Sequence, residues 1–154
     1  MKHLDAARAG LNDLIEDLRE SRRYESRPMY YEHQPAFLNS VLTGRTRFDV
    51  ETILSRIHEI EGAEGRRRNK SVPKGPRPLD IDILLAGEMR IETDRLRIPH
   101  PLIYERKFVL LPLLELHPGL VDPVSGTPLI EFFTKLDDQG IYYYSFDDLA
   151  TTWT

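Results

Sequence analysis

The most constraining feature of the sequence is a run of seven residues near its centre, Leu79-Asp80-Ile81-Asp82-Ile83-Leu84-Leu85. Successive side chains of a strand point to opposite faces, so Leu79, Ile81, Ile83 and Leu85 would form one fully apolar face. Such a face must be covered by other apolar groups, which calls for a sheet with helices packed on it. The same alternation places Asp80 and Asp82 together on the other face, with alpha carbons about 6.6 Å apart. Two carboxylates this close repel each other unless a cation or a proton intervenes. Hard oxygen ligands suit magnesium, which takes one or two carboxylates and fills its shell with phosphates and water. Two such ions could clamp both sides of a phosphoryl transfer. The alternative is a strand with a solvated polar face. The apolar character of this strand and the cationic loop directly before it favour the metal reading.

The rest of the pattern supplies the covering layer. Leu4, Ala7, Leu11, Leu14, Ile15 and Leu18 recur at helical spacing and predict an amphipathic helix to about Glu20. Residues 21–36 carry Pro28 and Pro35 and read as a short strand followed by a loop. A strand is predicted over Phe37 to Leu42, with Phe37, Asn39 and Val41 on one face. A second helix is predicted from about Val50 to Glu61, with Asp49 as N-cap and Gly62 at its C-terminal cap. After the buried strand, the turn Ala86-Gly87-Glu88 would let Met89 to Ile91 return as a hairpin arm. Ile98-Pro99-His100-Pro101 leads into Phe108-Val109-Leu110-Leu111, then Pro112 and a short apolar helix whose first turn Pro112 suits. Tyr142-Tyr143-Tyr144 could form a late strand. No repeat or linker interrupts the 154 residues, so the expectation is a single domain, 1–154, of α+β class. Its helices would pack on one face of a largely antiparallel sheet.

Composition narrows the function. The 21 basic and 25 acidic residues give a formal net charge of −4, which argues against a general nucleic-acid binder. There is no cysteine, which excludes disulfides, thiolate chemistry and cysteine zinc sites. No apolar run approaches the roughly 20 residues that span a bilayer. The start has no apolar stretch of signal-peptide type. The expected location is the cytoplasm, with no membrane partner.

Arg66, Arg67, Arg68, Lys70, Lys74 and Arg77 lie close together with Gly65 and Gly75 among them. Guanidinium groups bind phosphate oxygens in pairs and offset charge on a transferring phosphoryl group. A charge run alone would be a solvated loop or a nucleic-acid patch. Ahead of paired carboxylates, it points to a nucleoside triphosphate with magnesium. Neither a Walker phosphate loop nor a Gly-x-Gly-x-x-Gly fingerprint is present. Any nucleotide would therefore be held by side chains from several elements. His100, between two prolines, is either a phosphate contact or proton-sharing group, or a turn histidine with no role. The other histidines, His3, His33, His58 and His117, lack mutual metal-ligand spacing. Asn39 could read the edge of a flat heterocycle or be a satisfied core amide. Phe108 by itself reads as core.

Together these residues resemble the 6-hydroxymethyl-7,8-dihydropterin pyrophosphokinase family of folate biosynthesis, from about Leu4 to Glu131. The strongest blocks are Gly75-Pro76-Arg77-Pro78-Leu79-Asp80-Ile81-Asp82-Ile83-Leu84-Leu85 and Ile98-Pro99-His100-Pro101 followed by Arg106-Lys107-Phe108-Val109-Leu110-Leu111-Pro112-Leu113. Phe37-Leu38-Asn39 and Glu61 with Gly65-Arg66 add to them. The resemblance implies a ferredoxin-like α+β sandwich and transfer of pyrophosphate from ATP, as co-substrate, to the pterin hydroxymethyl group, with AMP released. It implies that Asp80 and Asp82 bind two magnesium ions. Arg66 and Arg77 would stabilise the transferring group. Arg68, Ile83, Arg95, His100 and Arg106 would contact nucleotide or phosphates. Phe37 and Phe108 would sandwich the pterin ring, Asn39 would bond its edge, and the backbone near Ser26 and Met29 would complete that pocket. Positioning and electrostatics would carry most of the rate.

The sequence departs from the family in three places. Members commonly open with an apolar strand ending in Gly-Ser-Asn before the first helix, whereas this sequence starts within that helix. The expectation is a sheet short of one central strand, with poor folding or slow turnover. An aromatic of the cationic loop in some relatives is here Lys74. A small residue often found after Pro28 and Met29 is here Tyr30. Two other readings stand beside the enzyme: a homologue that binds pterin or nucleotide without catalysis, and a ferredoxin-like RNA-binding module. The second needs exposed sheet aromatics and a basic surface, against which the acidic balance speaks. A monomer or weak dimer is expected.

Overall fold

The computed structural model describes residues 1–26, 36–65 and 78–143. Their elements, in chain order, are α1 (Lys2–Leu11), β1 (Glu16–Glu20), β2 (Tyr24–Ser26), β3 (Phe37–Asn39), β4 (Leu42–Arg45), α2 (Val50–Ala63), β5 (Ile91–Glu92), β6 (Arg97–Ile98), a 3₁₀ turn (Ile103–Glu105), α3 (Lys107–Leu116), α4 (Leu129–Lys135) and β7 (Ile141–Tyr143). The class is α+β, as expected. The chain divides into two compact units, one of Met1–Arg19 and Leu42–His100, the other of Glu20–Val41 and Pro101–Thr154. Among the described residues, no helix is long and apolar enough to cross a membrane.

The first unit is built on two helices. Ala7 and Leu11 of α1 pack with Ile57 and Ile60 of α2 and with Leu79, and Leu4, Ile15, Leu42, Ile53, Ile81 and Ile83 close around them. A Cβ on Gly10 would lie 2.7 Å from the Ile60 side chain, so the close approach of the helices depends on a residue without one. The first helix stops at Leu11, not near Glu20 as expected. Asn12 and Asp13 follow, whose side chains compete for backbone hydrogen bonds. Leu11, Leu14, Ile15 and Leu18 fit a helix, but Leu18 equally fits the half-buried inward position of a strand, and pairing of β1 with β4 decides it. Helix α2 begins as expected, with Thr52 N–H donating to the Asp49 carboxylate at 2.7 Å. It runs past Gly62 to Ala63. The left-handed position belongs to Gly65, at φ 96°, the conformation glycine takes beyond a helix end.

Two further expectations in this unit are corrected. Residues 79–85 do not form a strand, because a strand is a ladder and, among the described residues, none pairs with them. The arm after the Ala86–Glu88 turn does not pair with them either. Met89 N–H closes the turn on Ala86 O at 3.0 Å, and β5 then pairs forward with β6, Ile91 opposite Ile98 and Glu92 opposite Arg97.

The second unit centres on a three-stranded antiparallel sheet of order β3-β2-β7 and on helices α3 and α4. The strand expected from Phe37 to Leu42 is two strands. It breaks after Asn39, where Ser21 takes both backbone groups of Val41: Ser21 N–H donates to Val41 O, and Val41 N–H to Ser21 Oγ, each at 2.9 Å. The late strand is present as Ile141–Tyr143, and Tyr144 lies outside the described residues. Helix α3 starts at Lys107, so Pro112 sits within it and not in its first turn. Proline removes one helical hydrogen bond there. Burial of Leu110, Pro112, Leu113 and Leu114 offsets that loss. Leu110, Ile103 and Leu129 are fully buried and form the centre of this unit.

Candidate functional site

In the first unit the alternation survives without a ladder. Leu79 is buried, Ile81 and Ile83 pack on the core, and Asp80 and Asp82 are exposed. Two side chains and one backbone group hold this segment. Ile81 N–H, between the two aspartates, donates to the Glu61 carboxylate at 2.9 Å. Glu61 is only 1% exposed. His100 N–H donates to Leu84 O at 2.9 Å. The His100 ring then lies with Nε2 3.8 Å from Asp82 Oδ2, close enough for charge attraction when the ring is protonated. Arg95 is exposed in the β5–β6 turn, where Thr93 N–H donates to Leu96 O. The structure thus brings Asp80, Asp82 and His100 into one neighbourhood, and Ile83 beside them with its side chain on the core.

The donor set fits a hard cation. Among the described residues, no three His, Cys, Asp or Glu side chains converge on one point. A structural zinc site would need a closed shell of four protein ligands. Two exposed carboxylates with the remaining positions left to phosphate and water suit magnesium.

In the second unit, β-pairing sets Tyr24 opposite Asn39 and Ser26 opposite Phe37. All four side chains therefore share one sheet face. Phe37 is 42% exposed, Ser26 only 3%. Asn39 Nδ2 donates to Ser26 Oγ at 2.8 Å and to Phe37 O at 3.2 Å. Tyr24 anchors this face to α3 by donating to Glu115 at 2.6 Å. Burial first, then the Glu115 carboxylate, pushes the Tyr24 hydroxyl up to about 12, so it remains a donor. Phe108 is half-buried in the first turn of α3, with the Arg106 guanidinium 5.6 Å from its ring centre. Gln139 fixes that turn. Its amide donates to Glu105 O at 2.9 Å and its oxygen accepts from Lys107 N–H at 2.8 Å.

Arg66, Arg68, Arg77 and Met29 lie outside the described residues. Sequence reasoning gave no role to Glu61, Glu115 or Gln139. Glu61 alone had a signal: it sits on the apolar stripe of α2, four residues after Ile57 and seven after Leu54, where an unpaired charge would be costly.

Carboxylates suited to a hard cation, and an amide beside an exposed phenyl ring, are groups that a nucleotide- and heterocycle-handling α+β enzyme would carry. Comparison with known proteins is more specific. A model of the 7,8-dihydro-6-hydroxymethylpterin-pyrophosphokinase (HPPK) family matches residues 1–118. The chain is 38% identical over 122 residues to the 2-amino-4-hydroxy-6-hydroxymethyldihydropteridine pyrophosphokinase of Aquifex aeolicus, covering 79% of this chain and 75% of that protein. It is 46% identical over 122 residues to the folic acid synthesis protein fol1 of Schizosaccharomyces pombe, covering 79% of this chain and 16% of that protein. The Pneumocystis carinii fol1 protein is 42% identical over 127 residues, 82% of this chain and 17% of its own length. The chain belongs to the HPPK family. It spans less than a fifth of the length of the two fungal relatives.

Proposed function

We propose that this chain transfers pyrophosphate from ATP to 6-hydroxymethyl-7,8-dihydropterin, releasing AMP, as a step of folate biosynthesis, on a fold of the ferredoxin-like type. The observation that carries the reading is the exposed Asp80–Asp82 pair with His100 beside it, in a chain of the HPPK family. The pterin hydroxymethyl oxygen forms a bond to the β-phosphorus of ATP as the bond from that phosphorus to the AMP oxygen breaks, and the hydroxyl proton passes to solvent. Asp80 and Asp82 hold two magnesium ions, which when bound offset the charge of the phosphates. His100 steadies Asp82 and contacts phosphate. Arg66 and Arg77 stabilise the transferring group, and Arg68, Ile83, Arg95 and Arg106 contact the nucleotide, readings that rest on the sequence pattern. In the second unit, Phe37 and Phe108 stack on the ring, while Asn39 and the backbone near Ser26 and Met29 bond its edge. The protein's share of the rate is orientation and fixed charge rather than covalent chemistry.

The test is AMP formation from ATP, magnesium and 6-hydroxymethyl-7,8-dihydropterin. Asp80→Ala and Asp82→Ala should each reduce it by about 10²-fold or more. Unchanged rates in both variants would sink the metal assignment. A wild-type chain that binds pterin yet releases no AMP would replace the enzyme with a non-catalytic binding homologue.

A further inference from the structure

We propose that Ser26 is a positioning residue that fixes which edge of a flat ring Asn39 can read. The inference rests on the proposed role of Asn39 at the ring edge. Asparagine offers two donors on nitrogen and an acceptor oxygen, and which of them faces outward decides what it recognises. Here the surroundings decide. Nδ2 lies 2.8 Å from Ser26 Oγ, 3.2 Å from Phe37 O and 3.5 Å from Tyr24 O. Two of these three neighbours are carbonyl oxygens, which only accept, so nitrogen and not oxygen must face them. Both N–H groups of the amide are consumed within the chain. Oδ1 is then the carboxamide atom left for a ligand, and it can only accept. A ring edge presenting N–H groups is bound there, and an edge presenting only acceptors is rejected.

Ser26 provides the shortest of the three bonds. It lies diagonally across from Asn39 in the β2–β3 pair, on the same face and within reach of a short side chain. At 3% exposure its hydroxyl is shielded from solvent and from any ligand. The effect of the hydroxyl on the ring therefore passes through Asn39.

The experiment measures Kd for 6-hydroxymethyl-7,8-dihydropterin by fluorescence titration, together with KM and kcat for AMP formation, in the wild type, Ser26→Ala and Ser26→Thr. One lost neutral hydrogen bond of about 0.5–1.5 kcal/mol predicts that Ser26→Ala raises Kd and KM for pterin by about 2- to 12-fold. Ser26→Thr, which keeps the hydroxyl, should restore the affinity. The Asn39 side-chain amide resonances should also exchange faster in Ser26→Ala than in the wild type, with or without pterin. Equal pterin affinity in Ser26→Ala and the wild type, or no recovery in Ser26→Thr, overturns the proposal while the proposed function stands. A wild-type chain that binds no pterin overturns both.

Discussion

Removing the Glu61 carboxylate should loosen the segment that carries Asp80 and Asp82. Glu61 is 1% exposed, and its Oε1 accepts from Ile81 N–H at 2.9 Å. In Glu61→Ala that N–H loses its carboxylate partner, and hydrogen bonds to groups of this type contribute roughly 1.5–3 kcal/mol. Ile81 is half-buried, so water partly replaces the carboxylate, and the lower end applies. The lost methylene adds about 0.8 kcal/mol of burial. The expected cost is therefore about 2–3 kcal/mol. In a chain of this length that corresponds to roughly 4–12 °C in Tm. Glu61→Gln keeps the shape and an oxygen acceptor, and should lose about 1 kcal/mol or less.

The decisive readout is local, because the chain divides into two units and a global midpoint averages over both. Amide exchange at Ile81 should accelerate about 30- to 150-fold in Glu61→Ala, the same 2–3 kcal/mol expressed as a rate ratio. Leu110, in the other unit, should not change. Urea unfolding monitored by circular dichroism supplies the global figure. Equal losses in Glu61→Ala and Glu61→Gln would refute the reasoning, since the acceptor would then be irrelevant. So would wild-type exchange at Ile81 in the alanine variant.

Two further outcomes are expected. Asp122 is 3% exposed; burial alone would raise its pKa, but bonds from Ser125, Tyr104 and the Ser125 and Val124 backbone outweigh burial and hold it below the ordinary range. Its contribution is therefore full above the unfolded value near 3.9 and is lost as pH falls through the lower folded value. Asp122→Asn should flatten the decline of Tm with pH below about 5, and an unchanged acid limb in that variant would contradict it. A Cβ on Gly44 would lie 2.6 Å from Glu16 O, a backbone atom that cannot swing aside. Gly44→Ala should therefore cost about 1–3 kcal/mol by urea unfolding, whereas a neutral result would mean that β1 and β4 separate freely.

What the sequence disclosed, and what it hid, follows from range. Alternation at residues 79–83 is a property of consecutive side chains, and burial of Leu79 with exposure of Asp80 and Asp82 follows it. The ladder is a property of two segments, and nothing in residues 79–85 says what lies beside them. The same limit explains the strand that breaks after Asn39, since the groups that bind Val41 belong to Ser21, twenty residues earlier. The Asp49 cap was legible because its partner is three residues away. The C-terminal cap was misplaced because Gly62 and Gly65 both stand near the helix end, and only packing shows where the stripe stops. Phe37 and Asn39 share a face as their spacing requires. The hydroxyl that orients Asn39 comes from the neighbouring strand, out of reach of any single-strand pattern.

Exposure of the two aspartates is itself informative. At the alpha-carbon spacing of an ideal strand, about 6.6 Å, two like unit charges would repel by about 0.6 kcal/mol in water, and by about 2.5 kcal/mol at an effective dielectric constant of 20. On a solvated segment the chain can hold such a pair at the smaller cost, and a protonated His100 ring is near enough to offset part of it. Buried, the same pair would demand a permanent counter-charge, and no third ligand converges on it among the described residues. These anchors act on the backbone of the segment: Glu61 accepts from the Ile81 amide, and the His100 amide donates to the Leu84 carbonyl. It follows that placement and charge are separable. Glu61→Gln should preserve the placement and leave the magnesium dependence of AMP formation intact, whereas Asp82→Asn should keep the fold and shift that dependence to higher magnesium concentration. If both variants shifted that dependence equally, the division between anchor and ligand would be wrong.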